Sequence, residues 1–356
     1  MNNKEYNFSI IVPVYNTEKY IEKSLKSILK AMDTDCEVII VNDGSTDNCE
    51  GIINDFISKL PEKYKDNFVY TKKDNKGLAD TKNVGIEMAR GKYISVVDSD
   101  DYISEDFYTI ARKYIGEYDI IVYDLYIVFE KDSTWNYTSR ACRDDKQNYL
   151  VALLNGAMSG SSCNKIIKKQ LYNNHKFPVG KEYEDTAVTP FILTEAKNIK
   201  YIPYPLYYYL QREKSIVATN TFMTAFYKIC NNITDVLRDK EIEEYEQVVN
   251  EFYVERIFDI FVQEYNENRN KFLENIEEFT KYNKRILDYI VKSNMVYKCE
   301  NHYSGRQKKL TNDIIQLLLN GDYKKIKSLF FKRKFINYLR NIKGTFISFI
   351  KSIINR

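Results

Sequence analysis

A chain of 356 residues exceeds the usual size of a single core, so we expect two domains, at residues 1–219 and 220–356. An apolar fraction of 44%, a charged fraction of 29% and a net charge of +3 indicate a globular protein without a nucleic-acid partner. No stretch of about 20 apolar residues could span a bilayer, no secretory signal pattern opens the chain, and the six cysteines form no CxxC pair, so we expect a cytoplasmic protein without a zinc site.

Strands and helices alternate along the first hundred residues. The predicted strands are short apolar runs rich in β-branched residues, and the predicted helices carry apolar residues at three- and four-residue spacing. The predicted strands are 8–14, 37–41, 68–71 and 92–97. A helix follows each of the first three strands: the first begins after the N-cap Asn16 or Thr17, the second ends near Leu60, and the third covers 77–89. This order predicts a mostly parallel, doubly wound α/β sheet. Further on, we expect a helix and a strand within 105–125, strand and loop at 127–146, and a helix at 148–158.

Polar clusters follow three of these strands, at 13–16, 42–45 and 98–101. In a doubly wound sheet, ligands bind outside the carboxyl ends of the strands. The last cluster carries three aspartates, and two carboxylates about 5 Å apart repel by about 3 kcal/mol at an effective dielectric near 20. A divalent cation such as Mg²⁺ or Mn²⁺ relieves that repulsion. The alternative is an Asx turn that caps the helix near Ser104, but the convergence of three clusters favours a metal site.

A nucleotide would have to be bound here without a glycine-rich phosphate loop. Neither GxGxxG nor GxxxxGK[ST] follows the first strand, which disfavours a dinucleotide dehydrogenase and a P-loop NTPase. The nucleotide could instead be bound by an aromatic loop that packs against the base, by an aspartate that accepts hydrogen bonds from the base or ribose, and by a metal ion on the diphosphate.

Several ordered motifs resemble one known family. SIIVPVYN, EVIIVNDGSTD and NKGLADTKNVGIEMARGKYISVVDSDD resemble the nucleotide-binding half of the family-2 glycosyltransferases, enzymes of the GT-A fold. Downstream, SCNKIIKKQLYNNHKFPVGKEYEDT and PLYYYLQREKSI look like the acceptor-side motifs of that family. The resemblance covers about Ser9 to Ile216 and implies a Rossmann-like GT-A domain followed by a helical domain.

The resemblance implies roles for the residues at the strand ends. Pro13 and Tyr15 would line the base pocket, and Asp43 would recognise uracil or an equivalent base through hydrogen bonds. Asp98 would lie near the ribose and diphosphate, and Asp100, in the position of the DXD motif, would ligate Mn²⁺ or Mg²⁺.

Three further residues are assigned to donor binding by the same resemblance: Ser99, Lys82 and Arg212. The family often has arginine where this chain has Lys82. Lysine keeps the charge but lacks the two-pronged guanidinium, and a solvated helix end is the alternative interpretation of Lys82. Arg212 matches a loop that closes over the diphosphate, and Lys214 would share its work.

Glu184 and Asp185 open an apolar helical stretch at 182–194. Acids favour that position because of the helix dipole, which is the structural alternative. In the resembling enzymes this pair lies beside the acceptor, so we expect Asp185 to be the general base and Glu184 its helper. Direct displacement by a deprotonated hydroxyl inverts the anomeric configuration. Asn164 and Lys165 would contact donor sugar or acceptor.

The C-terminal part predicts helices and a basic tail. From Tyr323 onward, lysines and arginines interleave with apolar residues at helical spacing, and no acid follows Asp322. Such a segment is typical of a helix on an anionic membrane surface, and the alternative is a terminal helix docked on the protein itself.

The sequence therefore predicts a bacterial-type, metal-dependent, inverting glycosyltransferase. The expected donor is a nucleotide sugar, with a UDP-hexose or UDP-N-acetylhexosamine preferred over other nucleotides. The expected acceptor is a glycan or lipid-linked oligosaccharide of capsule or another surface polysaccharide, reached from the cytoplasmic face of the membrane. One alternative is a non-catalytic sugar-nucleotide or glycan-binding protein. Another is a sugar nucleotidyltransferase, but that class needs a Gly-rich basic loop where this chain has PVYNTEKY.

Overall fold

The computed structural model describes residues 5–131, 136–139, 149, 153, 158–180, 183–212, 234–235, 237–238, 241–246, 249–254, 257–298 and 305–331. The chain divides into two compact units. The sheet unit comprises Met1–Leu150 and Ala157–Ser215, and the helical unit comprises Val151–Gly156 and Ile216–Arg356. Most of the predicted helix at 148–158, Trp135 and Lys214 lie outside the described residues.

One nine-stranded sheet organises the sheet unit. Its strands are β1 Phe8–Val14, β2 Cys36–Asn42, β3 Phe68–Lys72, β4 Tyr93–Val96, β5 Tyr102–Ile103, β6 Ile120–Phe129, β7 Tyr137–Ser139, β8 Lys165–Lys168 and β9 Ile199–Gln211. Their order is β3-β2-β1-β4-β8-β6-β9-β5, with β7 paired to β6. The half β3-β2-β1-β4 is parallel, whereas β8 joins β4 and β6 in antiparallel pairing. The predicted α/β fold with a parallel nucleotide-binding half is confirmed.

Five helices accompany the described part of this sheet: α1 Ile21–Ala31, α2 Cys49–Ser58, α3 Leu78–Met88, α4 Phe107–Ala111 and α5 Glu184–Glu195. Helix α1 shows why they form. Its apolar residues at positions 21, 25 and 28 are fully buried, and they join one core with β1 and β2, whose residues are buried along their whole length. Burial of one apolar stripe stabilises such a helix more than its intrinsic propensity does.

The two loops that precede α1 and α2 are joined by reciprocal hydrogen bonds from side chain to backbone. Asp47 Oδ2 accepts the N–H of Glu18 at 2.9 Å, and Glu18 Oε2 accepts the N–H of Asn48 at 2.8 Å. The prediction that Asn16 or Thr17 caps α1 is wrong, because α1 has no side-chain cap at its own start. Asn16 Oδ1 accepts the N–H of Thr46 in the neighbouring loop instead, so Asn16 joins the two loops.

An ion pair between the buried Glu37 and the half-exposed Arg90 lies at the opposite, amino-terminal end of the parallel half. The Glu37 carboxylate is buried and accepts from Ser9 Oγ at 2.6 Å, from Arg90 Nε at 2.8 Å and from the Gly91 N–H at 3.1 Å. Only glycine fits at 91, since a Cβ there would lie 2.6 Å from the Ser9 nitrogen. This cluster therefore fixes how the chain enters β4.

The described part of the helical unit contains α6 Ile257–Glu267, α7 Phe272–Lys292, α8 Met295–Lys298, α9 Gly305–Leu319 and α10 Tyr323–Phe331. Phe330 on α10 is fully buried, with its ring centroid 5.5 Å from that of Phe272 and 5.6 Å from that of Tyr265. For residues 323–331 the docked alternative therefore holds. The rest of the predicted basic tail lies outside the described residues. No helix in the described ranges is long and apolar enough to cross a membrane.

Candidate active site

The ends of β1, β2 and β4 lie side by side in the sheet. Val14 pairs with Asn42 and Ile11 pairs with Val96 in parallel register. The polar clusters that follow these strands are therefore brought together at one edge of the sheet. Tyr15, at the end of β1, is 49% exposed, whereas Pro13 is buried within the strand. Of these two predicted base-pocket residues, only the tyrosine presents its ring to a ligand.

Asp43, directly after β2, is buried and has several hydrogen-bond partners. Its Oδ1 accepts the N–H of Lys76 at 3.0 Å and pairs with the Lys73 ammonium, and its Oδ2 accepts the N–H of Gly77 at 2.8 Å. The carboxylate thereby lies at the N-terminus of α3, where the helix dipole favours a negative charge. A cavity of about 740 Å³ opens beside this loop, lined by Gly44, Lys72, Lys73, Asp74, Lys76, Asp80 and Val84.

The aspartate loop after β4 is held to β9 by Asp101. This buried carboxylate accepts from Tyr207 Oη and from the Leu210 N–H, each at 2.7 Å. Burial, together with the neighbouring carboxylates, raises the pKa of Asp101 well above its usual value. Asp101 is thus turned away from solvent, and it fixes the end of β9 against the loop. Asp98 and Asp100 are left as the carboxylates available to a ligand.

Asp98 lacks the partners that a buried carboxylate normally has. Its backbone N–H donates to Tyr207 Oη at 3.0 Å, but its buried Oδ1 has no hydrogen-bond partner in the described part of the chain. Burial raises the pKa of Asp98 to about 7; the nearby Lys82 charge opposes the rise and the carboxylates around it add to it. Such a group favours a cation or a hydrogen-bond donor from a ligand.

Asp100 and Arg212 form an ion pair beside it. The two side chains are 18% and 26% exposed, and the guanidinium lies 5.1 Å from the centroid of the Tyr20 ring. The predicted metal ligand and the predicted diphosphate-binding arginine are therefore in contact. A cavity of about 550 Å³ adjoins them, lined by Asn16, Glu18, Lys19, Tyr20, Thr46, Asp47, Glu130 and Arg212. Ser99, by contrast, is buried, and its hydroxyl accepts from Thr17 Oγ1 at 2.9 Å.

Lys82 joins α3 to the start of α5. Its ammonium donates to Glu184 Oε1 and Asp185 Oδ1, each at 2.8 Å, and to Ser162 Oγ at 3.1 Å. Burial lowers the pKa of Lys82, but the charges of Asp185, Glu184 and Asp98 outweigh it and raise that pKa well above the usual value. Asp185 and Glu184, the predicted general base and its helper, thus form one buried cluster with Lys82, which the sequence assigns to donor binding.

The two carboxylates of this cluster differ in exposure. The Asp185 side chain is 18% exposed, compared with 10% for Glu184. Asp185 Oδ2 also accepts the N–H of Ser162 at 3.0 Å. Burial raises the pKa of Asp185, but the Lys82 ammonium and the Ser162 N–H outweigh it, so the pKa lies below its usual value. Asp185 is ionised at neutral pH and reachable from solvent.

A family model described as glycosyl transferase family 2 matches residues 9–176. The putative glycosyltransferase EpsH of Bacillus subtilis is 30% identical over 258 residues, which are 69% of this chain and 74% of that protein. The chain belongs to glycosyltransferase family 2. The match to the family model includes Asp43, Asp98 and Asp100 and ends before Asp185.

Two further comparisons support the GT-A fold of this family-2 glycosyltransferase. The poly(ribitol-phosphate) beta-N-acetylglucosaminyltransferase TarS of Staphylococcus aureus is 27% identical over 254 residues, 69% of this chain and 43% of that protein. The crystal structure of TarS 1-349 in complex with UDP-GlcNAc superimposes with a TM-score of 0.64 at 21% identity, covering 90% of this chain and 92% of that one.

Two residues of the site lie within the motifs SCNK and PLYYY, but the sequence assigns them no role. Ser162 and Tyr207 contact the candidate carboxylates through chain reversals that local spacing does not indicate. The prediction that Asn164 and Lys165 contact sugar finds no support, because both are buried. Lys165 Nζ instead donates to the carbonyls of Ser159 and Ser161, so the segment stabilises the loop that carries the Ser162 N–H.

Proposed function

We propose that this chain transfers a hexosyl or N-acetylhexosaminyl group from a UDP-sugar to a hydroxyl of a surface-glycan acceptor, with inversion at the anomeric carbon. The observation that carries the proposal is the juxtaposition of an unpartnered carboxyl, Asp98, with an ionised and accessible one, Asp185, around Lys82. One suits the donor diphosphate and its cation, and the other suits the acceptor hydroxyl. The UDP-GlcNAc complex of TarS supports the choice of nucleotide.

The donor would lie across the three strand ends. Tyr15 offers an exposed ring to the base, and Asp43 Oδ2 has one lone pair left to accept from it. Arg212 supplies a guanidinium whose geometry fits two diphosphate oxygens. Its present partner is Asp100, so donor binding would move Arg212 from that carboxylate to the diphosphate.

Mn²⁺ or Mg²⁺ fits the aspartate loop on the evidence of Asp98 Oδ1, a buried oxygen without a partner among the described residues. Asp98 and Asp100 would bind the ion. In the described ranges, no three acidic, histidine or cysteine side chains converge on a metal position. The protein would therefore supply one or two carboxylates and the diphosphate the remaining ligands, an arrangement that Mg²⁺ prefers. Bound there, the ion would stabilise the negative charge of the departing UDP.

Asp185 would act as the base. An acceptor hydroxyl that donates to its free lone pair loses its proton to Asp185 as the hydroxyl oxygen bonds to the anomeric carbon. The bond from that carbon to the diphosphate oxygen breaks in the same step, and UDP leaves from the opposite face. A single displacement of this kind inverts the configuration.

The relatives and the sequence support a proposal for the acceptor and the place of action. TarS is described as acting on poly(ribitol phosphate), and the basic sequence after residue 331 is suited to anionic surfaces. We therefore propose a glycan or lipid-linked acceptor of a bacterial surface polymer, met at the cytoplasmic face of the membrane.

A thermal-shift panel of nucleotides and nucleotide sugars tests the donor and the metal together. Each ligand is measured with Mn²⁺, with Mg²⁺ and with EDTA. A ligand at a hundred times its dissociation constant stabilises the folded state by about 2.7 kcal/mol. A shift for UDP or one UDP-sugar that disappears in EDTA is the expected result. No shift with any nucleotide would contradict the proposal and favour a glycan-binding protein.

A further inference from the structure

Lys82 is the one residue whose position departs most from the role that its sequence motif suggests. It belongs to α3 on the donor side, yet its ammonium is directed to Glu184 and Asp185 at the start of α5. A lysine ammonium has three N–H donors. All three have acceptors, the third being Ser162 Oγ, and the side chain is 2% exposed. No N–H of Lys82 is left for a diphosphate.

We propose that Lys82 is a positioning residue for the base: it orients the Asp185 carboxylate toward the acceptor and neutralises the surrounding negative charge. The proposal rests on the assignment of Asp185 as the base. Lys82 holds Oδ1, and the Ser162 N–H holds Oδ2. The Ser162 hydroxyl also forms a hydrogen bond with Asp185. A carboxylate accepts about four hydrogen bonds in all, so one lone pair remains for an incoming hydroxyl.

The charges around Asp185 make Lys82 necessary. In the described part of the chain, the groups that interact electrostatically with Asp185 include the carboxylate of Asp98, the hydroxyl of Tyr172 and the thiol of Cys163. The carboxylate of Glu184 and the ammonium of Lys82 belong to the same cluster. Burial raises the pKa of both the tyrosine and the cysteine, so they carry no charge near neutral pH. Lys82 is thus the one cation among these groups. Without it, Asp185 loses both the positive charge and the hydrogen bond that lower its pKa, so that pKa rises.

Steady-state kinetics of Lys82→Met tests the role. We expect kcat to fall about 10- to 100-fold, part of the 10²–10⁴ that a general base contributes, while KM for the donor changes less than about twofold. Lys82→Arg, which retains the charge, should recover most of kcat. Lys168→Met is the matched control: it removes a 2.9 Å ion pair with Asp119 elsewhere in the sheet, and kcat should stay unchanged.

A double-mutant comparison separates action through Asp185 from direct contact with substrate. If Lys82 acts through Asp185, adding Lys82→Met to Asp185→Asn should lower the residual rate less than about threefold. An equal factor in both backgrounds would overturn the proposal. So would a higher donor KM at unchanged kcat, since that is the signature of a lost donor ligand.

A carboxyl titration tests the same contact without turnover. In protein labelled at the aspartate carboxyl carbon, the ¹³C resonance missing from Asp185→Asn identifies Asp185. In Lys82→Met its titration midpoint should rise by about one pH unit or more, and an unchanged midpoint would overturn the proposal. If Lys82→Met does not fold, Lys82→Gln takes its place in each measurement. A shifted midpoint in a protein that transfers no sugar would instead refute the proposed function and leave the contact standing.

Discussion

Asp98 and Asp185 lie near the same ammonium, and their pKa values move in opposite directions. Burial without a partner raises the pKa of Asp98 to about 7. Two donors outweigh burial at Asp185 and lower its pKa. Pairs of titratable groups with pKa values driven apart mark different chemical roles. This difference supports the proposal that Asp98 binds the cation and donor and that Asp185 takes the acceptor proton.

Asp185→Asn should abolish most sugar transfer and leave donor binding intact. The amide keeps the size of the side chain but cannot take a proton, so kcat should fall by about 10²–10⁴. Calorimetric titration of Asp185→Asn with UDP in the presence of Mn²⁺ should give the same affinity as titration of the wild type. Turnover equal to that of the wild type would remove Asp185 from the mechanism.

Single residues of the site could be predicted from the sequence, but their partners could not. The resemblance singles out Lys82, Asp98, Asp100, Asp185 and Arg212, and the structure brings these side chains into one region of the sheet unit. The contacts between Lys82 and Asp185 or between Asp100 and Arg212 each span more than a hundred residues. Helical or strand periodicity carries no information on such contacts, so the sequence assigns Lys82 to the diphosphate and the geometry assigns it to the base.

At the level of elements, β9 links the aspartate loop to the arginine that follows it. Tyr207 on β9 bridges the Asp98 N–H and the Asp101 carboxylate, and Arg212 directly follows the last residue of the strand. The positions of the aspartate loop and of Arg212 therefore depend on β9, although none of the predicted donor-binding residues lies on this strand.

Tyr207→Phe should weaken both the fold and the site. It leaves Asp101 Oδ2 and the Asp98 N–H buried without this partner, which costs about 1–3 kcal/mol of unfolding free energy. UDP affinity should fall as well, because the loop that carries Asp98 loses a hydrogen bond to β9. Urea unfolding and UDP titration measure the two effects. Tyr209→Phe, on the same strand, is the control, and equal losses in both variants would contradict the bridging role of Tyr207.

Glu37→Ala should separate stability from function. It removes the buried acceptor of Ser9, Arg90 and Gly91 at the end of the sheet opposite to the site. Because the Arg90 side chain is 51% exposed, the main cost is the loss of the acceptor of the buried Ser9 hydroxyl and Gly91 N–H, about 1–3 kcal/mol of unfolding free energy. The melting temperature should drop, while kcat below the transition should remain that of the wild type. A proportional loss of kcat in fully folded protein would show that this end of the sheet reaches the site.

Elements differed in how clearly the sequence indicates them. Strands β1, β2 and β4 are buried on both faces and read as continuous apolar runs, so their prediction holds to within about two residues. The two-residue strand β5 and the strand β8, with lysines at both ends, lack such a run and were not predicted. Their positions depend on antiparallel pairing with β9, β4 and β6, which is a tertiary contact.

For the whole molecule, the candidate site residues all lie within the sheet unit. We therefore expect a chain ended after residue 219, the domain boundary that the sequence predicts, to unfold cooperatively and to bind UDP with Mn²⁺ as the full chain does. Differential scanning calorimetry and UDP titration measure this. A broad, non-cooperative transition would show that the sheet unit needs the helical unit to fold.

The anomeric configuration of the product tests the central claim most directly. With the UDP-sugar that the thermal-shift panel selects, ¹H NMR of the product reports the anomeric proton of the transferred sugar, whose configuration the new glycosidic bond fixes. One displacement assisted by one base, Asp185, predicts a product of opposite configuration to the donor. A product of retained configuration would require a second displacement or a different mechanism, and would contradict the assignment of Asp185 as the base.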